Sequence, residues 1–309
     1  MATIIPGFRG YASLDDGGTT RYIRFASCTL NPTQEVEAPD MVMGDETHNA
    51  WAYGKIEVAG TISGPLTESS GEFIKALDGV SGVGGAGASI DVVYYTDFYR
   101  RFNECKLNSF TFTVTAGEVV QVSLDIIGTT MEELTSIPTP VGDLTFSEKL
   151  ITWDKATFYG GNDGEITDIT VGMSFAGLAA KTGLQSFTFT GTRNITRQFI
   201  IGESSLFGDL VNGMLGVTGN VVSYTDESGY GPDGVPTDDT VATGAESGRM
   251  FWDQYTGPAA SPIRFALGAS IEVTAAVRFH RTTTELGVGP VMSTTAFTGV
   301  TTLGRATIA

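Results

Sequence analysis

From Cys105 to Gly128 the chain reads CKLNSFTFTVTAGEVVQVSLDIIG, and apolar residues there fall on every second position. Phe110, Phe112 and Val114 alternate with Ser109, Thr111, Thr113 and Thr115. A period of two suits a strand with one buried face. Val120, Val122, Leu124 and Ile126 repeat it against Gln121, Ser123 and Asp125, and Ala116-Gly117-Glu118 places a glycine at the reversal. The segment predicts a β-hairpin with one apolar face and one face of threonine, serine and acid. A weak echo, VRFHRTTTELGVGPVMSTTAFTG over Val277–Gly299, sets Val277 on Cys105, Gly289 on Gly117 and Val291 on Val119, a constant offset of 172 (277 − 105). A hairpin that recurs at one offset predicts a β unit present twice.

The remaining patterns fill in both units. Residues 1–21 read as an arm: Gly7, Gly10, Gly17 and Gly18 break regular structure, while Ile4, Ile5 and Phe8 are apolar enough to dock on a neighbouring subunit. Tyr22–Val36 reads as a strand, Glu37–Gly54 as a long loop, and KIEVAGTIS as a strand with Ile56, Val58 and Ile62 on one face. TESSGEFIKALDG predicts a short helix, capped by Ser69 or Ser70, striped by Phe73, Ile74 and Leu77, and ended by Gly79. SIDVVYYTDF is the strand before the hairpin, and Thr129–Ser147, with Pro138 and Pro140, reads as irregular.

LITWDKATFYG and ITDITVGMSFAG predict further strands. Ser186–Ile200 then takes the place of Tyr22–Val36, and GESSLFGDLVNG that of the loop. GVTGNVVSY parallels KIEVAGTIS, with Gly219 opposite Gly60 and Val221 opposite Ile62. GRMFWDQYTG takes the helix position and IRFALGASIEVTAAV the strand after it. The boundaries predicted are an arm at 1–21, a first β domain at 22–137, a linker at 138–147 and a second β domain at 148–309, with an acidic loop inserted at 225–247.

Composition narrows the class. Forty glycines beside 41% hydrophobic residues fit a folded all-β chain. With 18 basic against 35 acidic residues the formal net charge is −17, and no basic cluster is present to release counterions from a phosphate backbone, which excludes ordinary nucleic-acid binding. No apolar run approaches the roughly 20 residues of a bilayer span, so no membrane insertion is expected. The N-terminus lacks the layout of a secretion signal, which predicts residence in a cytoplasm. Cys28 and Cys105, the only two cysteines, are expected as buried free thiols.

Chemistry is hard to place on this pattern. His48 and His280 have no partners at metal-ligand spacing. Gly202-Glu203-Ser204 lacks the second glycine of a nucleophile elbow. SGVGGAGAS lacks the lysine of a phosphate loop. Asn162, Asp163, Glu165 and Asp168 could offer oxygens to calcium, as could Asp226, Glu227, Asp233, Asp238 and Asp239, but the spacing fits no EF-hand, and a hairpin turn and a solvated loop are the readings taken. No catalytic residue, cofactor or metal is expected. Met41, Val42, Met43, Trp51 and Tyr53 are different: large apolar side chains in a long polar loop predict a partner surface.

The hairpin block CKLNSFTFTVTAGEVVQVSLDIIGTT, the stretch VEAPDMV leading through the aromatic loop into GKIEVAGTISGPL, and the doubled order of elements resemble the tail tube (major tail) proteins of long, non-contractile bacteriophage tails. The resemblance implies a mainly β fold of two tandem sandwich or half-barrel domains, each with a short flanking helix. It also implies sheets that neighbouring subunits complete into a barrel, and rings that stack into a tube. A chain with two copies should form a trimer of pseudo-sixfold symmetry. The loop Glu37–Gly54 should touch the adjacent ring, and tape measure, terminator and tip proteins should be partners in the virion, with assembly in the host cytoplasm. DNA should pass without specific binding along a negative channel, for which Glu57, Asp91, Glu118 and Asp125 are the strand-borne candidates. A capsid-decoration or adhesin-like β protein is the alternative, since it shares the composition but needs neither duplication nor inter-ring loops.

Overall fold

The computed structural model describes residues 10–37 apart from 17–18, 52–80, 87–136 apart from 96–97, 149–160, 179–180, 184–199, 207–211, 215–224, 261–280 apart from 270, 283–285, 292–299 and 307–308. The protein is mainly β and antiparallel, with a single α-helix among the described residues. Strands β1 (Tyr11–Asp16), β2 (Thr19–Arg24), β3 (Ser27–Cys28), β4 (Asn31–Glu37) and β5 (Ala52–Pro65) precede helix α1 (Glu68–Val80). After it come β6 (Ala88–Tyr95), β7 (Phe98–Thr115), β8 (Gln121–Gly128) and β9 (Thr130–Leu134).

The hairpin forms as the alternation requires. Phe110, Phe112, Val114, Val122, Leu124 and Ile126 are buried while Thr111, Thr113 and Ser123 are partly exposed, and Gly117 turns with φ 86°, a region open to glycine. β7 is longer than the hairpin needs. Its first part pairs with β6 and β9, and with β1 and β2 beyond β6 these make one sheet, ordered β2–β1–β6–β7–β9. A register break between Leu107 and Ser109 re-aims the strand. Its second part then joins another sheet, pairing with β8, which pairs with β5, which pairs with β3 and β4.

Several elements differ from the sequence expectation. Tyr22–Val36 is broken at Phe25–Ala26 and Thr29–Leu30, because the chain leaves the first sheet after β2 and enters the second at β3. Gly64 permits that crossing: a Cβ there would lie 3.0 Å from the Ala26 nitrogen. The stretch read as an irregular arm contains β1, paired on both edges; Ile4, Ile5 and Phe8 lie outside the described residues. Thr130–Leu134, read as irregular, is β9. The helix is capped not by Ser69 or Ser70 but by Thr67, whose Oγ1 accepts from the Ser70 backbone N–H at 3.2 Å, and it runs one residue past Gly79.

In the second half β10 (Ala156–Gly160), β11 (Ala179–Ala180), β12 (Leu184–Thr192), β13 (Thr196–Phe199), β14 (Phe207–Val211) and β15 (Gly216–Tyr224) are followed by β16 (Ser261–Leu267), β17 (Ile271–Phe279), β18 (Thr283–Glu285), β19 (Met292–Gly299) and β20 (Thr307–Ile308). IRFALGASIEVTAAV is two strands, not one, since Gly268 at φ 64° reverses the chain. GESSLFGDLVNG holds β14, which pairs with β13. Trp153 sits in a 3-10 turn rather than a strand.

The ladders of the first half recur in the second. Ser27–Ser63–Ser123–Thr111 run side by side across β3, β5, β8 and β7. Ser186–Val222–Thr294–Thr283 do so across β12, β15, β19 and β18. The offsets are 159 (186 − 27 and 222 − 63), 171 (294 − 123) and 172 (283 − 111). The row Gly60–Ile126–Leu107 recurs as Gly219–Phe297–Phe279 at the same offsets. Ser186–Thr192 thus corresponds to Ser27–Thr33, five residues from the alignment that matches Ser186 to Tyr22.

One hydrophobic core serves both halves. Phe73, Ile74 and Leu77 of α1 are wholly buried in it. Phe110 of β7 stacks on Phe189 of β12 at 6.0 Å, and Phe189 meets Phe265 of β16 at 5.1 Å. Of the thiols, Cys105 is buried and Cys28 half-buried, and both are free. Burial pushes both thiol pKa values up, and the Cys28 Sγ lies 4.0 Å from the Tyr94 hydroxyl.

Candidate functional site

The candidate site is the polar face of the second sheet. β7 pairs on its outer edge with β12, from Ser109↔Thr192 to Thr115↔Ser186, so the sheets of the two halves run on as one wall: β3 with β4, then β5, β8, β7, β12, β15, β19, and β17 with β18. Period-two alternation sends one set of side chains from each strand into the core and the other set to the opposite face. On that opposite face one cross-strand row reads Ser63, Ser123, Thr111, Thr190, Thr218, Thr298. The next reads Gln121, Thr113, Thr188, Asn220, Ala296. The second row holds no charge, and the first ends on one exposed cation, Arg278 of β17 opposite Thr298. The Thr111 and Thr190 hydroxyls hydrogen-bond across the seam at 3.0 Å.

The seam is also clasped from outside. After β12 the chain makes the ribbon β13–β14, which lies over the far end of the first half's wall. Arg193 pairs with Asp78 of α1. Arg193 N–H donates to the Asn108 carbonyl at 2.7 Å, and Ile195 N–H to the Asn108 side-chain oxygen at 3.0 Å. Arg197 reaches the Glu57 carboxylate at 3.2 Å and the Val58 carbonyl at 2.8 Å. Lys106, 5% exposed, donates from Nζ to the Leu210 carbonyl at 2.8 Å. Ile127, Ile195 and Leu210 close a small apolar cluster beside it. A buried ammonium loses its hydration, so its hydrogen bond to a carbonyl makes the ribbon hard to lift.

The expected site residues do not gather at one place. Glu57 and Asp125 lie towards the clasped end of the polar face, where Asn108 donates to Asp125 at 2.6 Å. Glu118 is exposed in the β7–β8 turn. Asp91 belongs to the other sheet, held by Arg101 through two hydrogen bonds of 2.6 and 2.9 Å. Those bonds raise the Arg101 pKa. Met41, Val42, Met43 and Trp51 lie outside the described residues, as do His48 and both candidate calcium loops. Tyr53 falls in β5, paired with Val36. His280 is exposed, with Nε2 2.6 Å from the Thr298 hydroxyl. Among the described residues no group of three or more His, Cys, Asp or Glu could hold a metal ion, and no helix is long and apolar enough to cross a membrane.

Sequence reasoning passed over Lys106, Asn108, Arg193 and Arg197, the residues that hold the two halves together. A signal was present: the 172 offset of the hairpins sets Arg278 on Lys106, repeating a cation within the alternating run. It also passed over Leu150 and Trp153, 46% and 48% exposed. They flank the β7–β8 turn, where Trp153 N–H donates to the Glu118 carbonyl at 3.1 Å.

These features define a structural β protein, a wall with a hydroxyl-covered face and with edges that no strand covers among the described residues. A family model described as phage tail tube protein matches residues 9–230, well over half of the chain; the chain belongs to that family. It is a structural component of the virion tail, of a family that assembles into a tube with other tail proteins. No curated protein matches the sequence.

Proposed function

We propose that copies of this chain join edge to edge into trimeric rings, and that the rings stack into the tube through which the phage genome leaves. Each chain then contributes two copies of one wall unit, which gives the trimer pseudo-sixfold symmetry. The observation that carries this reading is the wall itself. It runs through both halves without a break at β7–β12, yet among the described residues the outer edges of β3–β4 and of β18 carry no strand. Unpaired edges are templates for another chain, and two unlike edges joined head to tail close into a ring when the rotation allows.

In this reading the hydroxyl face lines the channel. Serine, threonine and amide side chains stay hydrated, and the one cation on these rows, Arg278 at the edge of the wall, is too few to hold a duplex by counterion release, so DNA slides without being held. The acid stands at the margins: Glu118 at one rim, Glu57 and Asp125 near the other. The net charge of −17 keeps the whole repulsive to a polyanion, and no residue acts as a catalyst. The β4–β5 connection, with Met41, Val42, Met43 and Trp51, leaves the wall at the rim opposite the β7–β8 turn. Rings stacked in one direction bring it to Leu150 and Trp153 of the next ring. Assembly takes place in the host cytoplasm, with tape measure, terminator and tip proteins completing the tail.

Negative-stain microscopy and native mass measurement of the purified full chain test the reading. Hollow rings or tubes built on three chains are expected. A compact monomer at high concentration, or solid clusters of the kind a capsid-decoration protein forms, overturns it.

A further inference from the structure

The chain contains one seam between units and, at constant offsets, the two edges of a second. On β7 the edge from Ser109 to Thr115 receives β12, with Thr111 opposite Thr190, Phe112 opposite Phe189 and Thr113 opposite Thr188. The second half places β18 where the first has this part of β7: Thr111↔Ser123 and Thr113↔Gln121 recur as Thr283↔Thr294 and Glu285↔Met292. The register break after Leu107 recurs between Phe279↔Phe297 and Thr283↔Thr294. The first half places β3–β4 where the second has β12: Cys28↔Ile62, Asn31↔Ala59 and Thr33↔Glu57 recur as Phe187↔Val221, Thr190↔Thr218 and Thr192↔Gly216. Among the described residues no strand pairs with either edge; at the β3–β4 edge the Tyr94 hydroxyl donates to the Leu30 carbonyl at 3.2 Å and Arg100 to the Asn31 side-chain oxygen at 3.1 Å, contacts that an incoming strand replaces.

We propose that a second copy of this chain closes the seam in the register of the internal one: Thr283 opposite Asn31, Thr284 opposite Leu30 and Glu285 opposite Thr29. The inference rests on the ring reading above and adds to it the residues that meet. The internal seam shows why this register and no other. Each edge strand is fixed in its own sheet, so a slip by one residue would set the core-facing Leu30 beside a residue that faces the hydroxyl side and mismatch the two pleats. Slips by two keep the faces but lose the clasp. In the internal seam Lys106 and Asn108, just before the paired edge, hold the backbone that follows β12: Lys106 takes the Leu210 carbonyl, and Asn108 takes the Ile195 and Arg193 N–H groups. Arg278 and His280 stand at those two positions on the open edge, both exposed. Arg278 keeps the cation that Lys106 supplies, and the His280 ring supplies a nitrogen in place of the Asn108 amide. At the offset of 159 the N–H groups that Asn108 takes, those of Arg193 and Ile195, correspond to Gln34 and Val36 in β4 of the second copy.

Paired cysteines test the register in the assembled full chain. Thr283→Cys with Asn31→Cys in one chain should, on oxidation of the tubes, give a ladder of linked chains on a non-reducing gel, ending at the ring number. Thr283→Cys with Gln34→Cys, three residues out of register, should give none, and neither should the wild type with its own two thiols. Thr111→Cys with Thr190→Cys, which mimics the internal seam, should link within one chain and leave it monomeric on the gel. When a chain carrying only Asn31→Cys is mixed with one carrying only Thr283→Cys, the product should stop at a linked pair. Arg278→Glu should prevent assembly while the thermal unfolding of the monomer stays unchanged.

Should the double variant not assemble, hydrogen exchange on the wild type reads the same seam. Amides of Thr283–Glu285 and Ser27–Thr33 should gain protection together on going from monomer to tube. Tubes that form without that protection, or that link equally well out of register, overturn the seam and leave the ring reading intact. A wild-type chain that forms no ring overturns both.

Discussion

The two halves of the wall share a register and differ in what covers them. In the first half β5, β8 and β7 carry a buried cation, and its outer edge is filled by β12. In the second, β15, β19 and β18 repeat the ladder, but among the described residues no strand covers the edge, and the matching cation, Arg278, is exposed. Identical backbone pairing with unlike surroundings separates what builds a unit from what joins units. The ladder builds the unit. The ribbon after β12, Lys106 and Asn108 join it to the next.

The largest effect should come where both halves are tightest. Gly60 and Gly219 each press on the neighbouring strand: a Cβ would lie 2.4 Å from the Thr29 carbonyl oxygen at Gly60 and 2.2 Å from the Thr188 oxygen at Gly219. Thr29 and Thr188 are themselves 159 residues apart, as are the two glycines. Gly60→Ala and Gly219→Ala should each cost more than about 3 kcal/mol, since backbone must move to admit the methyl group. Urea unfolding measures both, and one tolerant site would break the equivalence of the halves.

Leu30 and Phe189 occupy matching places, but Phe189 alone has its seam partner in the same chain. Phe189→Ala should cost about 4 kcal/mol and Leu30→Ala about 3 kcal/mol in the monomer. In assembled tubes the gap should narrow, because Leu30 then has a seam of its own; calorimetry on both states reads the difference. Arg197→Ala removes a partly exposed ion pair and a hydrogen bond to the Val58 carbonyl, worth about 1–2 kcal/mol after solvent screening. Hydrogen exchange should show the loss confined to β13–β14, with β15 unaffected.

The smallest effects concern protons. The Tyr11 hydroxyl is buried and has no hydrogen-bond partner among the described residues. Burial first, then the Asp91 carboxylate and Tyr99, push its pKa from 10.0 up to about 12. The unfolded chain therefore ionises before the folded one, so stability is full below pH 10 and falls as pH rises towards 12. Burial raises the Cys105 thiol from 9.0 in the same sense, so its share begins to fall above pH 9. Tyr11→Phe should change stability at neutral pH by less than about 0.5 kcal/mol, because it removes an unsatisfied group, and should flatten the alkaline decline in a pH series of urea midpoints. A steep loss at neutral pH would show that the hydroxyl is bonded in solution.

Much of the fold could be read in advance, for a local reason. Alternation at Phe110–Val114 and Val120–Ile126 makes the hairpin, Gly117 makes its turn, and the Phe73, Ile74, Leu77 stripe makes the helix, each within a few residues of chain. β2 and β3 were harder to separate. Across Tyr22–Val36 the apolar positions shift phase, from Ile23 and Phe25 to Cys28 and Leu30, but a phase shift alone does not tell a bulge from a change of sheet, which the crossing at Gly64 makes plain. β14 and β9 are short strands whose partners alone define them.

By itself the sequence determined the β class, the polar and apolar faces, the lack of cationic clusters, and the recurrence of one hairpin at a single offset, since all of these are carried by residue type and spacing. Only the tertiary structure decided that β7 meets β12, that Lys106 is buried against the Leu210 carbonyl, and which edges stay open. Strand pairing is made by backbone groups common to every residue, so partners 79 residues apart, such as Thr111 and Thr190, leave no mark on local pattern. Two edges with the same alternation become an internal seam or an open end according to what the rest of the chain can reach.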